Sequence, residues 1–240
     1  MVRSRVVALV AVFVVGCTLG GCSRPAARTP SGPAVASSPL AQSVTPSPTA
    51  EVAWFWTDRN PDAPLFRFVA QIHNPGPKAL GGIQTEWIAY DADGSIVGSF
   101  KSERPIVPPR GTIPYVGGAG AADLSAIPAK VDMRIVQPGS FLETYSPACT
   151  VSDPQLQRES AKEYTVKARV TTGVEEVASA KLDGYIVLRD SAGAIVGADF
   201  WTPERLPERV PAGTKFILEA PFIRVTGPPK SVRVDVFEGP

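Results

Sequence analysis

The stretch Trp87–Gly98, with the sequence WIAYDADGSIVG, has a near-copy about a hundred residues later, Ile186–Gly197, with the sequence IVLRDSAGAIVG. Each copy is an apolar run, an Asp-containing turn that ends in Gly, and then Ile-Val-Gly. This pattern is typical of two strands joined by a tight turn. Because it occurs twice in similar surroundings, the sequence predicts two copies of one β-domain.

The first 21 residues have the features of a bacterial lipoprotein signal peptide. Arg3 and Arg5 precede an apolar run, Val6–Val15, that is too short to span a membrane. The sequence LGGC, which ends at Cys22, resembles a lipobox, so we expect a diacylglycerol on the Cys22 thiol. Two acyl chains anchor a protein stably, here on the extracytoplasmic face of the bacterial cell membrane. The alternatives are a soluble secreted protein that is cleaved nearby and a short uncleaved anchor.

Residues 22–50 are rich in Pro, Ser, Ala and Thr and have few large apolar side chains. Such a segment cannot bury enough surface to offset the entropy of ordering it, so we predict a disordered tether. A glycosylated stalk is the alternative, because Ser and Thr alternate with Pro over residues 45–49. Residues 51–141 and 142–240 then form the predicted first and second β-domains.

Short strands with alternating apolar positions recur in both predicted domains. The fold class that they predict is all-β, with two tandem immunoglobulin-like antiparallel β-sandwiches. The alternation places Trp87 and Ala89 in the first core, with Tyr90 facing outward. The two leading strands alternate at Phe66, Phe68, Ala70 and Ile72 in the first domain and at Tyr164, Val166, Ala168 and Val170 in the second.

Three further expectations concern the connections between strands. Asp153-Pro154 is expected to cap a short helical turn over residues 155–163. The Gly- and Ala-rich residues 117–122 are expected to form a flexible loop. The sequence Pro211–Thr214 is expected to match Pro109–Thr112, because both contain a Gly-Thr pair after Pro.

The first domain resembles the FxLYD-type domain, a small immunoglobulin-like β-sandwich that is common in bacterial surface lipoproteins. The resemblance is carried by Ile72–Gly76, by Ala89–Gly98 and by Pro109–Thr112. It covers residues 65–137 and, more weakly, residues 163–237, where Thr172 replaces Asn74. The resemblance implies a structural motif of strand and turn residues, with no catalytic residues to transfer.

The composition and motifs argue against several classes of function. The net charge of +1 leaves no strongly basic face for nucleic acid. His73 is the only His, whereas zinc and copper sites usually recruit several His or Cys ligands. The sequence DADG at residues 91–94 lacks the ligand spacing of a calcium loop and is interpreted as a hairpin turn. We therefore predict a non-enzymatic protein with no cofactor and no metal.

Aromatic residues are the strongest candidates for a binding site. Trp54, Phe55 and Trp56 are consecutive, and Trp201 is expected in a loop insertion of the second domain. Neighbouring residues of a strand point to opposite faces, so these aromatics cannot all lie in one core. One face is either covered by the other domain or exposed for binding. Cys149 is interpreted as a buried thiol, with an intermolecular disulfide as the alternative.

The function predicted from the sequence is a non-catalytic, lipid-anchored module that presents two immunoglobulin-like domains to a protein of the cell envelope. The alternative is a lipoprotein that binds a cell-wall glycan or other small molecule. In that alternative, the ligand would contact Trp54, Trp56 or Trp201.

Overall fold

The computed structural model describes residues 47–58, 65–104, 106–120, 123–204 and 206–238, which belong to one compact unit. Residues 1–46, with the predicted signal peptide, Cys22 and most of the tether, lie outside the described residues. Within the described part of the chain, no helix has the length and apolar character needed to cross a membrane.

The first half of the described chain folds into two packed sheets. Its strands are β1 (Thr49–Asp58), β2 (Leu65–His73), β3 (Ala79–Gly81), β4 (Gln84–Tyr90), β5 (Ile96–Glu103), β6 (Thr112–Ala119), β7 (Lys130–Gln137) and β8 (Ser140–Leu142). The sheets have the orders β1-β2-β6 and β5-β4-β7, and β3 pairs with β8. The strand order is that of an immunoglobulin-like sandwich.

The second half repeats this arrangement. Its strands are β9 (Cys149–Arg158), β10 (Glu163–Thr172), β11 (Val177–Ala178), β12 (Leu182–Arg189), β13 (Ile195–Trp201), β14 (Arg209–Val210), β15 (Lys215–Arg224) and β16 (Ser231–Glu238), with a 3-10 turn at Ser179–Lys181. The sheets have the orders β15-β10-β9 and β13-β12-β16, and β11 pairs with β14. The predicted all-β fold of two tandem sandwiches is confirmed.

The alternation read from the sequence agrees with the packing of the first core. Phe66, Phe68, Ala70 and Ile72 of β2 are fully buried. The ring centroid of Phe66 lies 5.3 Å from that of Trp87 on β4, so side chains of the two sheets interlock. Ala89 of β4 is also buried in the first core. In the second core, the buried residues include Ile186 and Leu188 of β12, which correspond to Trp87 and Ala89, and Val166, Ala168 and Val170 of β10.

The two hairpins that indicated the repeat close in the same way. In the first, the Oδ1 atom of Asp91 accepts hydrogen bonds from the backbone N–H of Asp93 and of Ser95, at 3.0 and 2.8 Å. In the second, Asp190 accepts equivalent bonds at 2.8 and 2.9 Å. The carboxylates therefore hold turns, as the sequence predicted.

Two expectations about the connections were wrong. Residues 155–158 continue β9, and Asp153 marks a bulge with a φ of 50°, so Asp153-Pro154 bends a strand and caps no helical turn. Gly117 and Gly118 belong to β6 and pair with Phe68 and Arg67. Gly117 is required there because a Cβ atom would come within 2.5 Å of the Phe68 ring. Residues 117–119 of the predicted flexible loop are thus strand, while residues 121 and 122 lie outside the described residues.

The expected match between the two Pro-containing turns is off by one residue. The backbone N–H of Gly111 donates to the Pro108 carbonyl, and that of Thr214 donates to the Pro211 carbonyl. Thr214 therefore corresponds to Gly111. Arg110 and Gly213 then share the left-handed position of the turn, with φ values of 47° and 71°. The Gly-Thr pair that the two turns share therefore gives the wrong match, because Gly is not at the same point of the two turns.

The first sandwich presents the outer face of its β1-β2-β6 sheet to the β12 and β13 strands of the second. Val69 on β2 pairs with Val116 on β6, and both are buried in a cluster with Tyr185, Val187 and Ala198 of the second sandwich. The alternation had assigned only the even positions of β2 to a core. Val69 is buried as well because a second layer covers the other face of the strand.

Candidate functional site

A bulge in β1 decides where its aromatic residues point. Val52 pairs with Ala70, but Trp54 pairs with Val69, so Ala53 is an extra residue in the strand. The bulge directs Phe55 into the first core, where its ring lies 6.1 Å from that of Phe66. It directs Trp54 and Trp56 to the opposite face, beside the second sandwich.

The second sandwich has polar residues at the positions that correspond to these tryptophans. Gln155 and Gln157 occupy on β9 the places of Trp54 and Trp56, and both are exposed. At these two positions, tryptophan is therefore found only in the copy whose β1-β2-β6 face meets the other sandwich. The difference follows from packing, because Trp54 packs against the apolar cluster that the two sandwiches share.

Trp54 and Trp56 line a small cavity between the sandwiches, which we call the aromatic cleft. The cleft has a volume of about 270 Å³. Phe222 of β15 also lines the cleft and is 66% exposed. Its walls therefore carry three aromatic side chains from two different sandwiches. The other lining residues are Leu65, Arg67, Glu163, Ala198, Asp199 and Arg224.

Two ion pairs join the sandwiches at this cleft. The Nε atom of Arg67 donates to the Oδ1 atom of Asp199 at 3.4 Å, and the Arg67 guanidinium lies 4.9 Å from the Phe200 ring centroid. The Nη1 atom of Arg224 donates to the Oδ2 atom of Asp58 at 2.8 Å. These partly exposed pairs add modestly to stability, but they place charged donors and acceptors around the aromatic walls.

A second depression, the edge groove, adjoins the aromatic cleft and shares Asp199 with it. It lies between β13 and β15 and has a volume of about 680 Å³. Trp201 stacks on Phe216 in this groove, with ring centroids 6.0 Å apart. Phe200 and Ile217, which are 47% and 58% exposed, also line the groove.

The structure separates the predicted binding residues into two places. Trp54 and Trp56 lie together in the aromatic cleft. Trp201 ends β13 instead of lying in a loop, and its side chain packs on the second core in the edge groove. Cys22 lies outside the described residues.

Sequence reasoning missed Phe200 and Phe222 as parts of these surfaces. Each of them has an apolar neighbour in the sequence, Pro221 before Phe222 and Trp201 after Phe200. The alternation of apolar and polar residues therefore does not show which of the two neighbours faces the core. A Pro-Phe pair inside a strand is the one available signal, because Pro occurs at edges and bulges of sheets.

A buried cation lies at another point of the interface between the sandwiches. Arg104 is 4% exposed, and its guanidinium lies 3.5 Å from the Tyr115 ring centroid. The Tyr115 ring in turn meets Tyr185 of the second sandwich edge-on, at 5.4 Å. Burial raises the pKa of both phenols, and the Arg104 charge opposes this rise. This cluster packs the two sandwiches together.

Cys149 has the position that the sequence analysis favoured, and His73 lies at the surface. Cys149 is buried, and burial, together with the charge of Glu238, raises the pKa of its thiol to about 11. His73 is exposed at the end of β2, where its Nδ1 atom lies 3.0 Å from the Thr112 hydroxyl. In the described part of the chain, no three His, Cys, Asp or Glu side chains are grouped as metal ligands.

Comparisons with known proteins do not assign a family to this chain. No family model matches it, and no curated protein matches it. Among solved structures, it is similar to an exo-chitosanase of Amycolatopsis orientalis in complex with PNP-β-D-glucosamine. The identity is 13% and the TM-score 0.20, over 69% of this chain and 25% of the chitosanase chain. This chain thus spans about a quarter of that protein, and so weak a likeness carries no functional argument. The resemblance to the FxLYD-type domain stays a prediction.

Proposed function

We propose that this chain is a non-catalytic, extracytoplasmic interaction module that a lipid on Cys22 anchors to the bacterial cell membrane. Its two sandwiches dock a protein of the cell envelope. The tether gives the sandwiches reach from the membrane surface. The near-zero net charge favours recognition by shape and apolar contact over charge-driven binding to nucleic acid.

The edge groove is the observation that carries this proposal. Phe200 and Ile217 are large apolar residues that are each about half exposed beside it. Within the described residues, β15 pairs with β10 alone, and β13 pairs with β12 apart from a single bridge between Gly197 and Val225. Free strand edges with exposed apolar side chains are surfaces on which a partner's extended segment can add a strand.

Site-specific photo-crosslinking in native membranes tests this proposal. A photoreactive amino acid at Ile217 of the full anchored protein is expected to capture one envelope protein, identified by mass spectrometry. The matched control is the same amino acid at Val136 of β7, which is also exposed but lines neither the cleft nor the groove. Equal capture from both positions, or none from Ile217, would reject the groove as the docking surface.

The anchor is tested by fractionation. The Cys22→Ala variant is expected to leave the membrane fraction, because the thiol that accepts the lipid is absent. A variant that stays in the membrane after a carbonate wash would contradict the lipoprotein assignment.

Binding of a cell-wall glycan is the second candidate function. The observation that favours it is the aromatic cleft, where Trp54 and Trp56 remain partly exposed beside Phe222. Soluble cell-wall fragments are expected to shift the tryptophan emission of the wild-type protein to shorter wavelength. Trp54→Phe/Trp56→Phe serves as the matched control and should remove most of this response. A flat titration of the wild type would count against a glycan ligand.

A further inference from the structure

Phe222 has a backbone conformation that its side chain does not favour. Its φ is 58°, in the left-handed region that an aromatic residue rarely adopts. The cause is a bulge in β15: Ile223 pairs with Tyr164 and Ala220 with Val166, so Pro221 and Phe222 together oppose one residue of β10.

Core packing does not compensate for this strain, because the side chain is two-thirds exposed. The exposed ring lines the aromatic cleft together with Trp54 and Trp56. An observed backbone outlier that holds a side chain at a cavity is grounds for a functional hypothesis.

The aromatic side chains of the cleft come from both sandwiches. Trp54 and Trp56 are two residues apart on one face of β1, and Phe222 extends from the other sandwich. Aromatic walls suit a ligand whose own faces are apolar. The cleft's volume lies just below the usual range for small-molecule sites, which fits one ring better than an extended chain.

The charged groups of the cleft indicate which ring-shaped ligand fits. Arg67 and Arg224 supply donors, and Asp199 and Glu163 supply acceptors, so the charges of the lining balance. A balanced lining selects neither an anion nor a cation. Donors and acceptors around aromatic walls match a neutral ring with several hydroxyl groups.

We propose that the aromatic cleft binds a sugar ring of a neutral glycan, with Phe222 as an aromatic wall together with Trp54 and Trp56. The C–H faces of the ring would stack on the aromatic side chains, and its hydroxyl groups would exchange hydrogen bonds with Arg67 and Asp199. This inference rests on the second candidate function and is independent of protein docking at the edge groove.

Binding to defined oligosaccharides tests the inference with the full chain. The neutral probes are N-acetylchitotetraose, cellotetraose and maltotetraose, and a hyaluronan tetrasaccharide is the anionic probe. Tryptophan emission and isothermal calorimetry report binding. We expect at least one neutral probe to bind and the anionic probe to bind more weakly.

Three variants separate the role of the Phe222 ring from its effect on folding. Phe222→Asn removes the ring but suits the left-handed backbone, so it should fold normally and weaken binding about tenfold. Phe222→Tyr should retain binding. Phe141→Ala removes an exposed aromatic residue of β8 that does not line the cleft, and it should bind as the wild type does.

The outcomes distinguish this inference from the function on which it rests. If wall fragments or a neutral probe bind and Phe222→Asn binds equally well, the Phe222 assignment is wrong while glycan binding stands. Preference for the anionic probe would overturn the assignment to a neutral ligand. If neither wall fragments nor any neutral probe binds, both proposals fail, and the crosslinking result at Ile217 is unaffected.

Discussion

Arg110 and Gly213 occupy the same left-handed backbone position in matching turns. Glycine adopts this conformation readily, whereas arginine does not. A non-glycine residue at this position raises the free energy of the folded state by roughly 1–2 kcal/mol, and glycine's greater freedom in the unfolded chain offsets part of this. Arg110 is exposed, and its side chain is in none of the ion pairs found among the described residues.

We therefore expect Arg110→Gly to raise the free energy of unfolding by about 0.5 kcal/mol and Gly213→Ala to lower it by about 1 kcal/mol. Urea denaturation of the two variants checks this prediction. Destabilisation by Arg110→Gly would show that the arginine side chain contributes contacts that outweigh the strain of the turn.

Cys149 is expected to be an unreactive thiol. With a pKa of about 11, the thiolate fraction at pH 8 is about a hundredfold or more below that of an ordinary cysteine. Alkylation by iodoacetamide should be slower by a similar factor and should accelerate as the pH rises toward 11. The measurement uses the fragment 23–240, in which Cys149 is the only cysteine.

The same fragment in 8 M urea is the control and should react at the normal rate. Fast labelling of the native fragment would contradict burial of the thiol. A dimer that a reducing agent dissociates would support the alternative of an intermolecular disulfide.

At the scale of elements, one buried polar residue in each sandwich ties the end of a strand to the turn that faces it. The Asn74 Nδ2 group donates to the carbonyls of Lys78 and Pro108, and its Oδ1 atom accepts from the Gly76 N–H. Thr172 takes this position in the second sandwich. Its hydroxyl donates to the Pro211 carbonyl at 2.7 Å and accepts from the Thr214 N–H at 2.9 Å.

Removal of these side chains should leave buried backbone groups without partners. Asn74→Ala is expected to lower the free energy of unfolding by about 2–4 kcal/mol, and Thr172→Val by about 1–3 kcal/mol, since it loses fewer bonds. Urea denaturation checks both values. The exposed substitution Ser99→Ala on β5 is the control and should have little effect.

The interface between the sandwiches is explained by a comparison of matched strand pairs. Val69 and Val116 form a cross-strand pair in the first sandwich, and Lys167 and Glu219 form the corresponding pair in the second. Lys167 and Glu219 are joined by an ion pair at 3.2 Å on a solvated face. The pair is apolar in the sandwich where a second layer covers the face, and charged in the sandwich where the face is in contact with water. Burial of a charged pair would cost free energy of desolvation.

At the scale of the whole molecule, each sandwich contains all of its own strand pairings but shares an apolar interface with the other. The predicted domain boundary after residue 141 falls inside β8, whose last residue, Leu142, pairs with Ala79. We therefore place the cut after residue 143. Residues 47–143 and 144–240 are each expected to fold alone and to be less stable than the intact chain, because their contact faces become exposed.

Circular dichroism and urea denaturation of the two fragments check this prediction. The isolated second fragment should bind a hydrophobic dye through the face that carries Tyr185 and Val187, and Tyr185→Glu/Val187→Lys should remove that binding. Absence of a cooperative transition in both fragments would show that the sandwiches cannot fold separately.

Local sequence patterns were enough to predict the all-β class, the repeat, the hairpin turns and the core positions of β2, β4, β10 and β12. These features follow from local periodicity and turn chemistry, which depend on residues near one another in the chain. The sequence also identified Trp54 and Trp56 as residues that one core could not hold.

The direction in which those tryptophans point could not be predicted, because a single extra residue, Ala53, reverses the faces of β1 in the folded chain. The folded chain also brings Phe222 into the same cavity, through a bulge in a strand more than 160 residues away. Bulges and packed sheet faces depend on contacts between distant segments, and the period of an isolated strand carries no information about them.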